Sequence, residues 1–352
     1  MNKTCSALLL CFLFIFMIAA AEGVAGQVES VGNVTVFIYH KFGEDQYPTT
    51  NVAVNRFDEQ MAFLKDNGYQ VISLKRLSDL LKQGKPLPDK TVVITIDDGY
   101  SSTYTAAWPI FKKYGFPFTV FVYVKAVDSG YSNFLTWEQI KEMQEAGVDF
   151  QDHSYSHHRF GTIPKGLDQQ SYKEWIQQDL KKGRAILSEH LGYEPQFLAL
   201  PYGEYNETVI EIAEANGYQM VLSQDPGSVS RYSDVMALPR EPILGNDWAT
   251  MRHFETVLDR VDLPFKDMEP KRQPLLSTPE KFCATLLAPE AYQQSSLGIY
   301  VSEFGWQPAT LKNKRLCIDN LKALERRFNR VAISAKEKES GRQAIRYWLL
   351  FQ

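Results

Sequence analysis

From Val31 to Leu244, short apolar runs rich in β-branched residues alternate with segments of helical spacing, and few folds accommodate that order. Val34–Tyr39 reads as a buried strand, and Arg56–Asn67, with Phe57, Met61 and Leu64 on one face, as a helix stopped by Gly68. Strand Tyr69–Ser73, helix Leu77–Lys82, strand Thr91–Asp97, helix Ala106–Tyr114 and strand Phe118–Val124 follow. Helix Trp137–Ala146, strand Val148–Asp152, the long helix Ser171–Leu191, strand Phe197–Leu200, a helix from the cap Asn206 to Asn216, and strand Met220–Ser223 complete the series. This alternation predicts an α/β fold, a parallel sheet or barrel, with ligands gathered beyond the C-terminal ends of the strands. Asp97, Asp98, Asp152, His153, Pro201 and Tyr202 all fall at such ends.

The pattern changes after Val261. Pro264, Pro270, Pro274 and Pro279 punctuate a polar stretch, 261–279, that reads as a linker. Beyond it, 280–352 reads as a small all-β, sandwich-like accessory domain. Phe282–Leu287, Gly298–Val301 and Arg330–Ala335 are its strand-like runs, and the last forms a terminal hairpin with Ala344–Phe351. A long extension capping the barrel is the alternative. At 352 residues the chain has room for two such units. A net charge of −4 gives no ground for a nucleic-acid or anionic-membrane partner.

Lys3, the apolar run Ala7–Ala20 and the small residues Ala19–Ala21 before Glu22 form the pattern of a secretory signal over 1–21. An uncleaved anchor is the alternative; Cys11 lies inside the apolar run, which speaks against a lipid anchor. The expectation is export to a periplasmic or extracellular space. Only Cys283 and Cys317 then remain, and in an oxidising compartment they read as one disulfide, with two free buried thiols as the alternative.

Three short segments carry chemistry. Asp97 and Asp98, at the tip of an apolar strand, would repel each other on burial unless a cation is shared nearby. One then reads as a metal ligand and the other as a free base; a plain Asp-Asp-Gly turn is the alternative. In His153-Ser154-Tyr155-Ser156-His157-His158 the i,i+4 histidines can face one point, as a divalent cation requires, and His158 can replace His157 if the loop bulges. Two imidazoles and a carboxylate suit Zn, with Fe, Co or Ni as alternatives. Leu200-Pro201-Tyr202-Gly203 supplies a turn whose N–H groups can meet a developing oxyanion, and His40 ends the first strand at the same rim.

In this order, Thr95–Gly99, His153-Ser154-x-x-His157 and Leu200–Gly203 resemble three motifs of the polysaccharide deacetylases, the NodB-homology domain of carbohydrate esterase family 4. Ile38-Tyr39-His40 followed by Phe57-x-x-Gln60-Met61-x-x-Leu64 resembles the circularly permuted subgroup, which includes deacetylases of biofilm poly-N-acetylglucosamine. The resemblance covers about Val31–Leu244 and implies a distorted (β/α) barrel and metal-dependent N-deacetylation, with a deacetylase domain over 27–260. It implies one divalent metal held by Asp98, His153 and His157, Asp97 as general base, His40 as general acid, and Tyr202 with Pro201 at the oxyanion and substrate. The partner implied is an N-acetylated glycan polymer, with contact to an exopolysaccharide export machine through the C-terminal domain.

Two departures are visible. Many members carry an arginine two residues before the proline of the third motif, where this chain has Ala199; Arg240 is a candidate for tuning Asp97, with a structural ion pair as the alternative. No segment matches the family's tryptophan-containing fourth motif; Trp137 and Trp248 are candidates for sugar stacking, or for packing. The competing functions are a carbohydrate-binding scaffold with a degenerate site and an O-acetyl esterase.

Overall fold

The computed structural model describes residues 32–272, 275, 277–320 and 322–351; the expected signal segment 1–21 lies outside the described residues. Strand β1 (Val34–Tyr39) is followed by a two-residue parallel pair, β2 (Lys41–Phe42) and β3 (Asn51–Val52). Then come β4 (Gln70–Val71), β5 (Thr91–Ile96), β6 (Thr119–Val122), β7 (Asp149–Asp152), β8 (Phe197–Ala199), β9 (Met220–Leu222) and β10 (Glu241–Pro242). Apart from β2 and β3 these strands form one parallel sheet in the order β10-β1-β5-β6-β7-β8-β9, with β4 also on β5. Both β1 and β5 are buried along their whole length. Helices cover the strand faces, so an unbroken apolar run is what such strands need.

The sheet curls into a distorted (β/α) barrel. Leu238 bridges to Leu222 at the end of β9, and three residues later Glu241 pairs with Phe37 of β1. The stretch 238–242 therefore joins the two edges, a role that its sequence, with Pro239 and Pro242, does not announce.

Beyond the barrel, two four-stranded antiparallel sheets face each other. One is β11 (Phe265–Glu269), β12 (Lys281–Leu286), β16 (Arg315–Asp319) and β15 (Thr310–Lys312), in the order β11-β12-β16-β15. The other has the order β14-β13-β17-β18, with β13 (Gly298–Val301), β14 (Gly305–Pro308), β17 (Phe328–Lys336) and β18 (Gln343–Phe351). Phe282, Ile299, Leu316, Val331, Ile333 and Trp348 lie between them in one buried cluster. β17 and β18 form the expected terminal hairpin.

The stretch 261–279 differs from the linker expected of it. Val261 exchanges backbone hydrogen bonds with Gln343 and Ile345, buried Asp262 pairs with Arg346, and β11 lies inside the stretch. β11 is an edge strand, and edges tolerate flanking prolines such as Pro264 and Pro270 because few of their N–H groups must donate to a neighbour. Among the described residues no helix is long and apolar enough to cross a membrane.

Cys283 and Cys317 face each other across β12 and β16 and are joined by a disulfide spanning 34 residues. Closing a loop of that size stabilises by about 3–4 kcal/mol in the chain-entropy account. Replacing both cysteines by alanine should lower stability by an amount of that order, read as a shift in the urea midpoint that reductant reproduces in the parent protein.

Candidate metal centre and base

The cluster is assembled from the C-terminal ends of strands of one sheet, with β6 between β5 and β7. Asp97 and Asp98 follow β5, His153 follows β7, and His40 follows β1. In a strand successive side chains point to opposite faces, but Asp98 leaves the strand in the left-handed region, at φ 73°. Asp97 thereby turns one way and Asp98 another. Asp98 Oδ1 lies 3.2 Å from His153 Nε2 and 2.9 Å from His157 Nε2. The three ligand atoms lie within 4.8 Å of one another.

The residues fit a divalent cation. Asp98 Oδ1 and His153 Nε2 are buried without a hydrogen-bond partner, and buried polar atoms left so call for an ion or water between them. One carboxylate and two imidazoles form a donor set suited to Zn and its neighbours, and three protein ligands leave positions for water and substrate. Burial pushes the Asp98 carboxyl up, but the His153 and His157 imidazoles beside it hold it well below the usual carboxylate range.

The histidine loop is held from behind. His153 Nδ1 donates to the Ala199 carbonyl at 2.8 Å, which leaves Nε2 facing Asp98. The Ser154 N–H donates to Asp152 Oδ1 at 2.7 Å, and the His157 N–H to Ser154 Oγ at 2.9 Å. From the helix Gln169–Leu191, buried Asp179 accepts the N–H groups of Tyr155 at 3.0 Å and Ser156 at 3.2 Å. That helix approaches so closely at Gly183 that an added Cβ would stand 2.9 Å from the Tyr155 nitrogen. Ser154 and His157 both have positive φ, at 67° and 55°. Such residues cost roughly 1–3 kcal/mol each and persist only when their surroundings over-determine them.

Asp97 is fully buried and bound by one partner. Arg240 Nη1 and Nη2 reach its two oxygens at 2.7 and 2.8 Å, a bidentate pair. Arg240 is itself fully buried; Nη1 also donates to Thr95 Oγ1 and Nε to the Ser223 carbonyl. Burial pushes the Asp97 carboxyl up, but Arg240, with His153, outweighs it and holds the group below its ordinary value.

The other named residues divide. His40 is buried, with Nδ1 unpartnered, and both Asp98 and Asp97 act on its charge; burial lowers the imidazole and the two carboxylates oppose that. Pro201 is buried at the start of a tight turn, and Tyr202 sits at φ 59° with its ring 4.8 Å from that of His157. His158 points elsewhere, 5.6 Å from the Trp175 ring, so His157 and not His158 completes the cluster. Trp137 stacks on His190 and Trp248 lies against His253, away from the cluster.

Asp179 escapes the motif search, although it leaves a trace. It sits among Tyr172, Ile176, Leu180 and Leu187 on the buried stripe of its helix, where a carboxylate needs a reason. Tyr123, with its ring 5.0 Å from His157, leaves none.

A sequence model of the polysaccharide deacetylase family matches residues 84–221. YxkH of Bacillus subtilis strain 168, whose name places it among the polysaccharide deacetylases, is 32% identical over 214 residues, 61% of this chain and 72% of that protein. The poly-β-1,6-N-acetyl-D-glucosamine N-deacetylase of Staphylococcus epidermidis is 29% identical over 232 residues, 64% of this chain and 77% of the relative. The enzyme of the same name from Escherichia coli K12 is 29% identical, but the chain spans only 34% of its length. Among solved structures, the Streptococcus pyogenes deacetylase PplD in complex with acetate superposes with a TM-score of 0.57. It is 26% identical and covers 64% of this chain and 98% of that one.

Replacing Arg240 by alanine leaves the Asp97 carboxylate buried without a countercharge. The expected cost is about 3–5 kcal/mol of folding stability, measured by urea denaturation. Arg240→Lys should recover only part of it, because an ammonium cannot reproduce the bidentate geometry.

Proposed function

The chain belongs to the polysaccharide deacetylase family, and from that premise we propose that it removes N-acetyl groups from an exported N-acetylhexosamine polysaccharide of the poly-N-acetylglucosamine kind, with a divalent metal. The observation that carries this reading is the joint placement of Asp98, His153 and His157 around one point beside a buried, arginine-paired Asp97. The names of the Staphylococcus and E. coli relatives support the choice of polymer.

A divalent cation, Zn first among the candidates, would be held by Asp98, His153 and His157 and would supply Lewis acidity toward the acetamide carbonyl and acidify the attacking water. Asp97 takes the proton of that water; the Arg240 pair fixes its orientation and keeps it ionised. Arg240, arriving from the closing stretch of the barrel, thus supplies the guanidinium that position 199 lacks. His40 delivers a proton to the departing amine; burial holds its imidazole below the ordinary value, and Asp98 and Asp97 offset only part of that. The backbone N–H of Tyr202, set by the turn that Pro201 begins, donates to the oxyanion.

Export rests on the apolar segment within 1–21 and agrees with the Cys283–Cys317 disulfide, which an oxidising compartment preserves.

Purified protein should hold about one divalent metal per chain and release acetate from β-1,6-linked N-acetylglucosamine oligomers. Asp98→Asn and His153→Ala should lose both the metal, read by elemental analysis, and the acetate. Asp97→Asn should keep the metal and lose roughly 10²–10⁴-fold in kcat. Acetate release that survives both ligand substitutions would sink the mechanism, and release from O-acetyl but not N-acetyl sugars would replace it with an esterase. In a separate measurement, Asp179→Ala should weaken metal binding by roughly 10–100-fold in competition with a chelating dye, because the histidine loop loses its anchor.

A further inference from the structure

On one side the cluster opens into a cleft of about 620 Å³, a size that falls within the roughly 300–1,000 Å³ span of ligand sites. The cleft begins at the reactive centre, since His157 and the ring of Tyr202 both line it. Its remaining chemistry comes from Trp175 and three cations, Arg159, Lys165 and Arg327, all exposed. No carboxylate lines it among the described residues.

These cations come from two separate layers of the molecule. Arg159 and Lys165 lie on the connection between β7 and the helix Gln169–Leu191, and Arg327 immediately precedes β17 of the C-terminal sheets. Arg327 Nη2 reaches Thr162 Oγ1 at 3.5 Å, so the far layer meets the barrel loop at the rim of the cleft. The Arg159 guanidinium carbon lies 3.7 Å from the centroid of the Tyr202 ring and pairs with Glu204. Glu204 is buried and offsets one of the three charges, which leaves an excess of positive charge facing the cleft. In a chain whose net charge is −4, that is a local concentration against the overall balance.

We propose that the cleft is a subsite for an anionic group, a carboxylate or a phosphate, on the sugar next to the acetamido sugar being deacetylated, recognised by Arg159, Lys165 and Arg327. The proposal rests on the deacetylase reading above and adds a preference within it: among N-acetylated glycans, those with an acidic group beside the acetamido sugar are the better substrates, and neutral ones are turned over more weakly. Arginine forks match carboxylate and phosphate oxygens in pairs, and Lys165 adds a mobile point charge. Tyr202, 43% exposed, and Trp175 offer ring faces to the sugars that carry the acid. A neutral polymer offers these cations only hydroxyl and amide oxygens, without the charge-assisted part of the bond. The C-terminal sheets, through Arg327, are then part of substrate recognition.

The test compares substrates that differ only in charge. The carboxylate arm uses a hyaluronan hexasaccharide and its methyl ester; the phosphate arm uses N-acetylchitotriose with and without a 6-phosphate. In at least one arm the charged form should be the better substrate by about tenfold or more in kcat/KM, as a charge-assisted hydrogen bond implies. That advantage should shrink as salt rises from about 50 to about 500 mM. It should collapse in Arg327→Glu and persist in Arg327→Lys. Charged and neutral forms within about twofold of each other in both arms, well below one such bond, would overturn the proposal, as would an advantage untouched by Arg327→Glu combined with Lys165→Glu. Calorimetric binding separates the two readings. A charged oligosaccharide that binds tightly and loses affinity in Arg327→Glu, with no acetate released from any substrate, upholds the subsite and removes the deacetylase reading. Acetate release from neutral oligomers with no tighter binding of either charged form does the reverse.

Discussion

The Arg240–Asp97 ion pair ties the fold to the chemistry. A carboxylate taken wholly out of water is tolerated only with a well-placed partner, and two adjacent carboxylates make the requirement stricter. Arg240 meets it from the stretch 238–242, whose other task is to bridge β9 to β1. Closing the barrel and holding the base ionised are therefore one structural event. A barrel left open at that seam would strand Asp97, and a neutral residue at 240 would close the seam around an unpaired charge. With both oxygens of Asp97 taken by Arg240, Asp98 is left to face the histidines.

The histidine side is built on the opposite plan. Asp97 has a single strong partner, whereas the His153–His157 loop is fixed by many modest contacts: the Ala199 carbonyl, the Asp152 carboxylate, Ser154 Oγ and the Asp179 carboxylate. Burial lifts the Asp152 carboxyl to about 7, and it is steadied by the Tyr218 hydroxyl and the Ser154 N–H. Positive φ angles at Asp98, Ser154, His157 and Tyr202 place four non-glycine residues of one rim in a costly conformation. Hydrogen bonds to the loop and packing of the helix at Gly183 offset that cost. The strain lies in the short turns after the strands, while the strands themselves remain regular.

The barrel was legible because its signals are local. Buried parallel strands read as continuous apolar runs, and helices ended by left-handed glycines such as Gly115 and Gly192 announce their own limits. The cluster Asp98, His153 and His157 was legible for the same reason, since its residues follow strands that the pattern locates. What stayed hidden depends on residues distant in sequence. Arg240 could be named as a candidate, but nothing near it says that it meets Asp97, 143 positions away. Two-residue strands such as β10 are too short to show a period. β14 and β15 are half exposed and carry little apolar signal, and β11 was masked by its prolines because edge strands accept what central strands refuse.

Catalytic and recognition groups stand on different supports. Asp97, Asp98, His153 and His40 rise from the ends of β5, β7 and β1 in one sheet, whose hydrogen-bonded register fixes their spacing. Arg159, Lys165 and Arg327 stand on a loop and at the margin of a second layer, exposed and long. Such side chains can adjust to a polymer that varies, although Arg159 also carries a structural load as the partner of buried Glu204. Tyr202 and His157 belong to both groups; the Tyr202 ring lies 4.8 Å from that of His157 and 3.7 Å from the Arg159 guanidinium carbon. The left-handed backbone of Tyr202 sets the turn that the proposed mechanism uses, and its ring is the surface that the proposed subsite would offer to a glycan.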